Sequence, residues 1–185
     1  MDLNAHNFEE VYKWLGINLN QLGCVMLPLE FIPEPDSLKG LAYTSDHPER
    51  FWIDGWVASY KAHVTLLYGL IHRAQNIEPH IRDVLDGWKC PHVFLDHVGF
   101  FPSPYPDEKY WCIIAHIRPD QSLVEGHSRL SFLPHINTFP RYTPHMTLGY
   151  IQCDEKVRDT AIKKLDKELV GQRIKVTGDI DLGKP

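Results

Sequence analysis

Two copies of one short pattern, His-x-Thr-Leu-x-Tyr, hold the side chains with the clearest capacity for chemistry. The first copy runs from His63 to Tyr68 and the second from His145 to Tyr150. With 11 histidines and 7 threonines in 185 residues, His-x-Thr alone arises by chance roughly 0.4 times (11 × 7 / 185). Two copies that also share leucine and tyrosine at the same offsets therefore indicate two halves of one site.

The segments around the two copies, residues 58–70 and 142–151, have the apolar, aromatic and threonine content of β-strands. Side chains alternate between the faces of a strand, so each histidine shares a face with the threonine two positions later. The same parity places Lys61 beside His63. The histidines are 82 positions apart (145 − 63), far enough for each to lie on its own lobe. The predicted catalytic set is His63, Thr65, His145 and Thr147.

Such a set suits cleavage of a phosphodiester without a metal ion. An imidazole titrates near neutral pH, so one histidine can take a proton from the attacking oxygen while the other gives one to the leaving oxygen. The threonine hydroxyls would donate hydrogen bonds to the non-bridging oxygens as charge builds in the transition state. The motifs therefore predict acid-base catalysis by His63 and His145, without distinguishing the acid from the base.

Two other interpretations compete with this one. The histidines could be ordinary strand residues with satisfied hydrogen bonds, which suits either copy alone better than the matched pair. A metal site is the second alternative, because 11 histidines are many for this length. However, the sequence has no His-x-His, no His-x-x-x-His with a carboxylate and no Cys/His knuckle, and Cys90-Pro91-His92 is too sparse. We therefore expect neither a metal ion nor another cofactor.

Hydrophobic periodicity predicts the elements that would position the motifs. Besides the motif strands, we expect strands over 23–31, 91–101, 109–118 and 174–182, the middle two joined as a hairpin by the turn 102–108. Helices are predicted over 8–15, 77–88 and 154–170, and after Pro119, where Gly126 interrupts a helical pattern.

Residues 33–56 have no convincing period and are rich in aromatic side chains. Loops of this length in compact domains often carry function, so we interpret the segment as a lid or binding loop. The alternative is an irregular hydrophobic cover over the core.

The length and composition fit one compact unit spanning residues 1–185. A net charge of −5 and a pI near 6.1 argue against a protein that coats long nucleic acid. The N-terminus does not resemble a signal peptide, no segment is apolar enough to span a membrane, and four widely spaced cysteines suggest reduced thiols, mostly buried. We therefore expect a cytoplasmic protein, with a monomer favoured.

The motifs resemble the signature of the 2H phosphoesterase superfamily, which includes 2′-5′ RNA ligase-like proteins and cyclic nucleotide phosphodiesterases. That signature is two His-x-Thr/Ser-x elements, here His63-Val64-Thr65-Leu66 and His145-Met146-Thr147-Leu148, and Tyr142-Thr143-Pro144 is also similar. The resemblance covers roughly residues 22–182, the expected core of the domain, and implies a bilobal α+β fold in which two antiparallel sheets form a V-shaped cleft with helices outside. It implies acid-base catalysis by the histidines and phosphate binding by the threonines. Residues 33–56 depart from the family pattern, in which a helix usually follows the first strand.

The resemblance also narrows the substrate. Family members act on 2′,3′-cyclic phosphates, 2′-5′ oligoadenylates, cyclic ADP-ribose-like phosphates and, in phage proteins that defeat host defence, cyclic oligonucleotide signals. We expect hydrolysis of a small 2′-5′-linked or cyclic (oligo)nucleotide, with immune evasion in the host cytoplasm as the role if the protein is from a phage. An RNA 2′,3′-cyclic phosphodiesterase and a non-catalytic nucleotide-binding sponge are the alternatives.

Aromatic and basic side chains near the motifs would hold the nucleotide, because aromatic rings stack on bases and cations attract phosphates. Each aromatic candidate also suits a position in the core. The predicted substrate-binding residues are Tyr43, Trp56, Lys61, Tyr105, Trp111 and Arg141, with Tyr110 and Arg129 as further candidates.

Overall fold

The structure is a computed structural model that describes residues 12–13, 15–18, 22–30, 40–47, 50, 62–137 and 141–183. The predicted helix over 8–15 lies almost wholly outside these residues. The described strands are β1 (Gly23–Pro28), β2 (His63–Leu70), β3 (His92–Pro102), β4 (Tyr110–Ile117), β5 (His145–Gln152), β6 (Arg173–Lys175) and β7 (Asp181–Gly183). The described α-helices are α1 (Glu78–Val84), α2 (Gln121–Leu130) and α3 (Glu155–Leu169).

Two antiparallel sheets organise these elements into an α+β fold, as predicted. The first sheet has the strand order β2-β1-β7 and the second the order β5-β4-β3-β6. Both motif strands, β2 and β5, therefore lie at an edge of their own sheet, and these two edges contact each other. The predicted hairpin of β3 and β4 is confirmed and forms the centre of the second sheet.

One hydrophobic core lies behind both sheets, on the faces opposite the motif side chains. Val64 and Leu66 of β2 are fully buried, as are Ile113 of β4 and Leu165 of α3. Strand alternation explains this division, because neighbours of His63 and Thr65 must point the other way. The outer faces of the sheets are covered by α2 on β2 and α3 on β3.

The helices follow the sequence pattern with local adjustments. A 3-10 turn over Ala74–Ile77 leads into α1, which ends at Val84 rather than continuing to residue 88. In α2, the glycine that weakened the helical pattern is required by packing, since a Cβ at Gly126 would lie 2.5 Å from the ring of Trp88. Asp120 and Asp154 cap α2 and α3 by accepting backbone N–H bonds in the first turn.

The prediction of one final strand over 174–182 is wrong. The segment forms two short strands in different sheets: β6 pairs with β3, and β7 pairs with β1. Gly178 adopts a φ of 73°, and the Asp179 side chain accepts a hydrogen bond from the Ile180 backbone N–H, so the chain turns between them. This turn lets the last strands link the two sheets.

Short segments cover the free edges of both motif strands, where exposed N–H and C=O groups would otherwise stay unpaired. Along β2, the Ile136 N–H donates to the carbonyl of Gly69 at 2.8 Å. This approach requires glycine, because a Cβ at Gly69 would lie 2.3 Å from the Ile136 oxygen and φ there is 99°. Along β5, Ala42 bridges to Ile151.

None of the described helices is long and apolar enough to cross a membrane. The four cysteines are free thiols; Cys90 is buried, Cys24 and Cys112 are half-buried, and Cys153 is exposed.

Candidate functional site

The first motif lies on β2 with its histidine and threonine on one face. His63 pairs with Pro28 and Thr65 with Met26, and both motif side chains are half-buried. The register then shifts, because the next pairing joins Leu67 to Val25 and leaves Leu66 without a partner on β1. This irregularity has the form of a β-bulge, which adds one residue to a strand and reverses the alternation beyond it.

The second motif on β5 repeats this arrangement. His145 pairs with His116 and Thr147 with Ile114, and the register shifts so that Leu148 has no partner on β4. Leu148 stands at the same motif position as Leu66. The two halves therefore share a local backbone irregularity as well as a sequence pattern.

The matched bulges decide where the motif tyrosines lie. By simple alternation, a tyrosine five positions after the histidine would lie on the opposite face. Beyond the bulges, Tyr68 pairs with Cys24 and Tyr150 with Cys112, and these register positions belong to the faces of Thr65 and Thr147. Tyr68 is 42% exposed, so it is available to contact a ligand. Sequence reasoning missed both tyrosines, for which the shared offset was the available signal.

The seam between β2 and β5 is held by side chains that reach from the second half of the chain to the first motif. The Tyr142 hydroxyl donates to the carbonyl of Thr65 at 3.2 Å, and Nδ1 of His127 lies 2.7 Å from the carbonyl of Leu66. The two rings stack at 4.0 Å with an interplanar angle of 4°. Two carbonyls at the bulge of β2 are thus satisfied by this stacked pair, and burial raises the pKa of Tyr142.

The tautomer of His145 is set by its backbone contact. Its Nδ1 lies 2.9 Å from the carbonyl of Thr143, which can only accept, so Nδ1 carries a proton and Nε2 is the nitrogen left for proton transfer. The ring of Phe101 lies edge-on to His145, with centroids 5.2 Å apart, and is 42% exposed. An exposed aromatic ring therefore lies beside the predicted catalytic histidine, a neighbour that sequence reasoning missed.

Thr147 adjoins a thiol on the same face of the second sheet. Burial raises the pKa of Cys112 to about 11, although a hydrogen bond with Thr147 acts in the opposite direction. The thiol therefore stays protonated at neutral pH, so no negative charge lies beside the threonine hydroxyl.

A row of three imidazoles crosses the second sheet from β5 to β3. His145 pairs with His116, and His116 pairs with His97. The rings of His97 and His116 stack with centroids 4.1 Å apart, and Nδ1 of His97 lies 3.0 Å from the Asp96 carboxylate. Sequence reasoning missed His97 and His116, because no local pattern reveals which residues three different strands bring into register. We name the face of the second sheet that carries His145, Thr147 and this row the open face.

The described part of the predicted lid is fastened to the β3–β4 turn by a buried carboxylate. Glu108, only 2% exposed, accepts hydrogen bonds from the hydroxyls of Tyr43 and Ser45, and Arg50 lies 3.5 Å away. Burial pushes the pKa of Glu108 upward, but those hydrogen bonds and the charges of His47 and Arg50 outweigh it and hold the pKa below its usual value. The hydrogen bond to Glu108 in turn raises the pKa of Tyr43 to about 12.

We call the contacts of Glu108 with Tyr43, Ser45 and Arg50 the clamp. Tyr105 is also held by this clamp. The guanidinium of Arg50 lies 4.1 Å above the centre of the Tyr105 ring and 3.1 Å from Asp107. Tyr43 also packs against Tyr110, which in turn contacts Tyr150. Tyr43 and Tyr105 are therefore held in the clamp, and their role in substrate binding stays a prediction.

The described residues among the remaining predicted substrate contacts lie on or beside different elements. Trp111 pairs with Pro102 and Ile151 on the face opposite the open face, where Arg158 lies 4.7 Å from its ring. Arg141 is exposed just before β5. Arg129 is held on α2 by Glu125 and the carbonyl of Asp86. Trp56 and Lys61 lie outside the described residues. Within the described ranges, no three His, Cys, Asp or Glu side chains are grouped so that they could hold a metal ion.

Comparison with known proteins matches the chain to a family model over most of its length. The model of the 2′-5′ RNA ligase superfamily matches residues 33–179. Among solved structures, Usb1 from Kluyveromyces marxianus is 12% identical, covering 89% of this chain and 98% of that chain with a TM-score of 0.48. The structure of the same protein with uridine monophosphate gives 11% identity, 91% and 100% coverage, and a TM-score of 0.48. No curated protein sequence matches the chain.

Tyr142→Phe should weaken the seam while keeping the ring that stacks on His127. Loss of one neutral hydrogen bond to the Thr65 carbonyl should lower the free energy of unfolding by about 1 kcal/mol. Urea denaturation would measure this, with Tyr105→Phe as the matched control and an expected change within about 0.5 kcal/mol. Equal losses in the two variants would contradict a specific role for the Tyr142 hydroxyl.

Glu108→Gln should loosen the clamp at neutral pH. Because the folded state holds the pKa of Glu108 below its usual value, the stabilisation by the ionised carboxylate is present above the unfolded-state pKa and is lost as pH falls through the folded-state pKa. The melting temperature of the variant should therefore lie below that of the wild type at pH 7, and the difference should shrink below about pH 4. A difference that is constant from pH 7 to pH 3 would show that the charge is not responsible.

Proposed function

Because the chain belongs to the 2′-5′ RNA ligase superfamily of 2H phosphoesterases, we propose that this phosphoesterase is a metal-independent phosphodiesterase that cleaves a small 2′-5′-linked or cyclic (oligo)nucleotide. The observation that carries the proposal is the matched pair of motifs. Each pair of histidine and threonine lies on one face of an edge strand, the two edge strands adjoin, and both strands bulge at the same motif position.

In the proposed reaction, His63 and His145 carry the protons. One neutral imidazole removes the proton from the attacking hydroxyl or water, and the other, as imidazolium, protonates the leaving oxygen. For His145, the transfer occurs at Nε2, since Nδ1 donates to the Thr143 carbonyl. The hydroxyls of Thr65 and Thr147 donate to the non-bridging oxygens of the phosphate. Two donors and two acid-base groups thereby account for the whole step.

Support for a small substrate comes from the acidic net charge of −5, which disfavours a long polyanion. Tyr68 and Phe101, both 42% exposed, supply aromatic surfaces on the faces that carry the two motifs, where bases could stack. The biological role of such cleavage, including removal of host nucleotide signals by a phage protein, stays a prediction.

Replacing either histidine should abolish turnover. His63→Ala and His145→Ala should each lower kcat by about 10²- to 10⁴-fold, because each removes one acid-base group. The measurement is product formation by mass spectrometry from cyclic di- and trinucleotides, 2′-5′ oligoadenylates and 2′,3′-cyclic ends. His80→Ala, which changes an exposed histidine on α1, is the matched control and should keep wild-type turnover. Recovery of every bound nucleotide intact from the wild type would favour the sponge over the enzyme.

Removal of metal ions should not affect the reaction. The proposed proton transfers need only the two imidazoles, so turnover in excess EDTA should equal turnover without it. Loss of activity in EDTA that zinc restores would contradict the metal-independent mechanism. The product also identifies the nucleophile, since a 2′,3′-cyclic end reports attack by a ribose hydroxyl and incorporation of solvent oxygen reports attack by water.

A further inference from the structure

The open face continues beyond His145 with side chains that suit an anion. His116 lies next to His145 across the β4–β5 pairing, and its ring rests on Gly99, where a Cβ would lie 2.9 Å from Nε2. His97 follows on β3, with its side chain 57% exposed. Glycine at position 99 thus leaves room for the His116 ring to lie flat beside His97. Neither imidazole has a part in the proposed proton transfers.

A fixed positive charge adjoins this pair. Arg118 follows β4 two positions after His116 and is exposed, with its guanidinium 5.7 Å from the ring centre of Phe94. Its backbone N–H donates to the carbonyl of Phe94, which continues the pairing of β4 with β3 and keeps Arg118 on the face of His116. No carboxylate within the described ranges forms an ion pair with Arg118, so its charge is available to a ligand.

We propose that His97, His116 and Arg118 form a second phosphate-binding subsite, which receives the phosphate next to the scissile one and favours substrates with at least two phosphates. The inference rests on the proposed function, because it places the scissile phosphate at His145 and Thr147. An imidazolium and a guanidinium are the donors that bind phosphate oxygens with charge-assisted hydrogen bonds.

The spacing of the strands suits this arrangement. Neighbouring strands lie about 4.8 Å apart, so His116 and His97 lie roughly 5 and 10 Å from His145 across the sheet. These distances bracket the step from one phosphate to the next along a nucleotide chain. Phe101 lies on the same face against His145 and offers a ring to a base next to the scissile phosphate.

Proton uptake would accompany binding at this subsite. Burial lowers the pKa of His116, and the charges of His97 and His145 lower it further, while Asp96 acts in the opposite direction. Arg118 adds a further positive charge nearby on β4. A phosphate would favour the protonated ring. The preference for a second phosphate should therefore be larger at pH 6 than at pH 8.

The test compares two substrates within each variant. Dinucleoside monophosphates and trinucleoside diphosphates, prepared with 2′-5′ and 3′-5′ linkages, differ by the second phosphate and the nucleoside that follows it. The change of the trimer-to-dimer ratio of kcat/KM between the wild type and the subsite variants isolates the contribution of the subsite. The wild-type ratio should be on the order of tenfold and should fall as salt rises. In Arg118→Gln and in His97→Gln the ratio should approach one.

Arg158→Gln is the matched control, because Arg158 lies against Phe100 and Trp111 on the opposite face of the same sheet. Its ratio should equal that of the wild type. A wild-type ratio that both Arg118→Gln and His97→Gln retain would overturn the subsite while leaving the proposed cleavage intact. Melting temperatures of all variants show whether each one is folded.

A binding measurement separates the subsite from the chemistry. Imidazole resonances of His97 and His116 in the His145→Ala variant should shift when the trimer is added and should shift far less with the dimer. Absence of turnover by the wild type, together with these shifts in the variant, would contradict the proposed function and support the subsite. Identical responses to dimer and trimer would overturn the subsite, whatever the turnover.

Discussion

The structure depends on how two sheet edges meet without pairing. Placing each motif on an edge strand leaves backbone carbonyls of β2 unpaired at its bulge, and a buried carbonyl needs a donor. Tyr142 and His127 supply the donors for Thr65 and Leu66, and their rings stack into one unit. Because Tyr142 lies three positions before His145, this contact ties the approach of the second motif to the backbone of the first. The relative position of the two halves is therefore fixed beside the site itself.

The two bulges show that the duplication extends to the backbone. A bulge reverses the facing of every residue beyond it, so an unmatched bulge would place one tyrosine toward the core and the other toward the opening. Leu66 has no register partner on β1, and Leu148, at the same motif position, has none on β4. Beyond the bulges, Tyr68 and Tyr150 both return to the motif face. Their surroundings then differ. Tyr68 is exposed, whereas burial raises the pKa of Tyr150, which packs against Tyr110. The halves are alike in backbone and unlike in what lines the opening.

Local patterns in the sequence predicted what depends on neighbours along the chain, and failed where partners come from elsewhere. Alternation placed each histidine with its threonine, because two positions on one strand require no knowledge of register. It could not place His116 beside His145, since that pairing joins strands nearly 30 residues apart (145 − 116 = 29). Trp111 was a reasonable aromatic candidate, but only the pairing with Ile151 reveals that it lies on the covered face. The final strand was misjudged because one positive-φ glycine, Gly178, redirects an otherwise alternating segment.

The net charge argues against a long polyanionic substrate, whereas the local positive charge of the second sheet favours a phosphate ligand. The dimensions of the sheet are compatible with both. The chain carries a net charge of −5, yet Arg118, just after β4, is exposed on the face of His116, and Arg173 of β6 is exposed beside His92, with 3.1 Å between their nitrogens. Four strands span three spacings of about 4.8 Å, or roughly 14 Å from β5 to β6. That width is comparable with the spacing of a few phosphates. The proposed short, multiply phosphorylated substrate would therefore satisfy both the global and the local electrostatics.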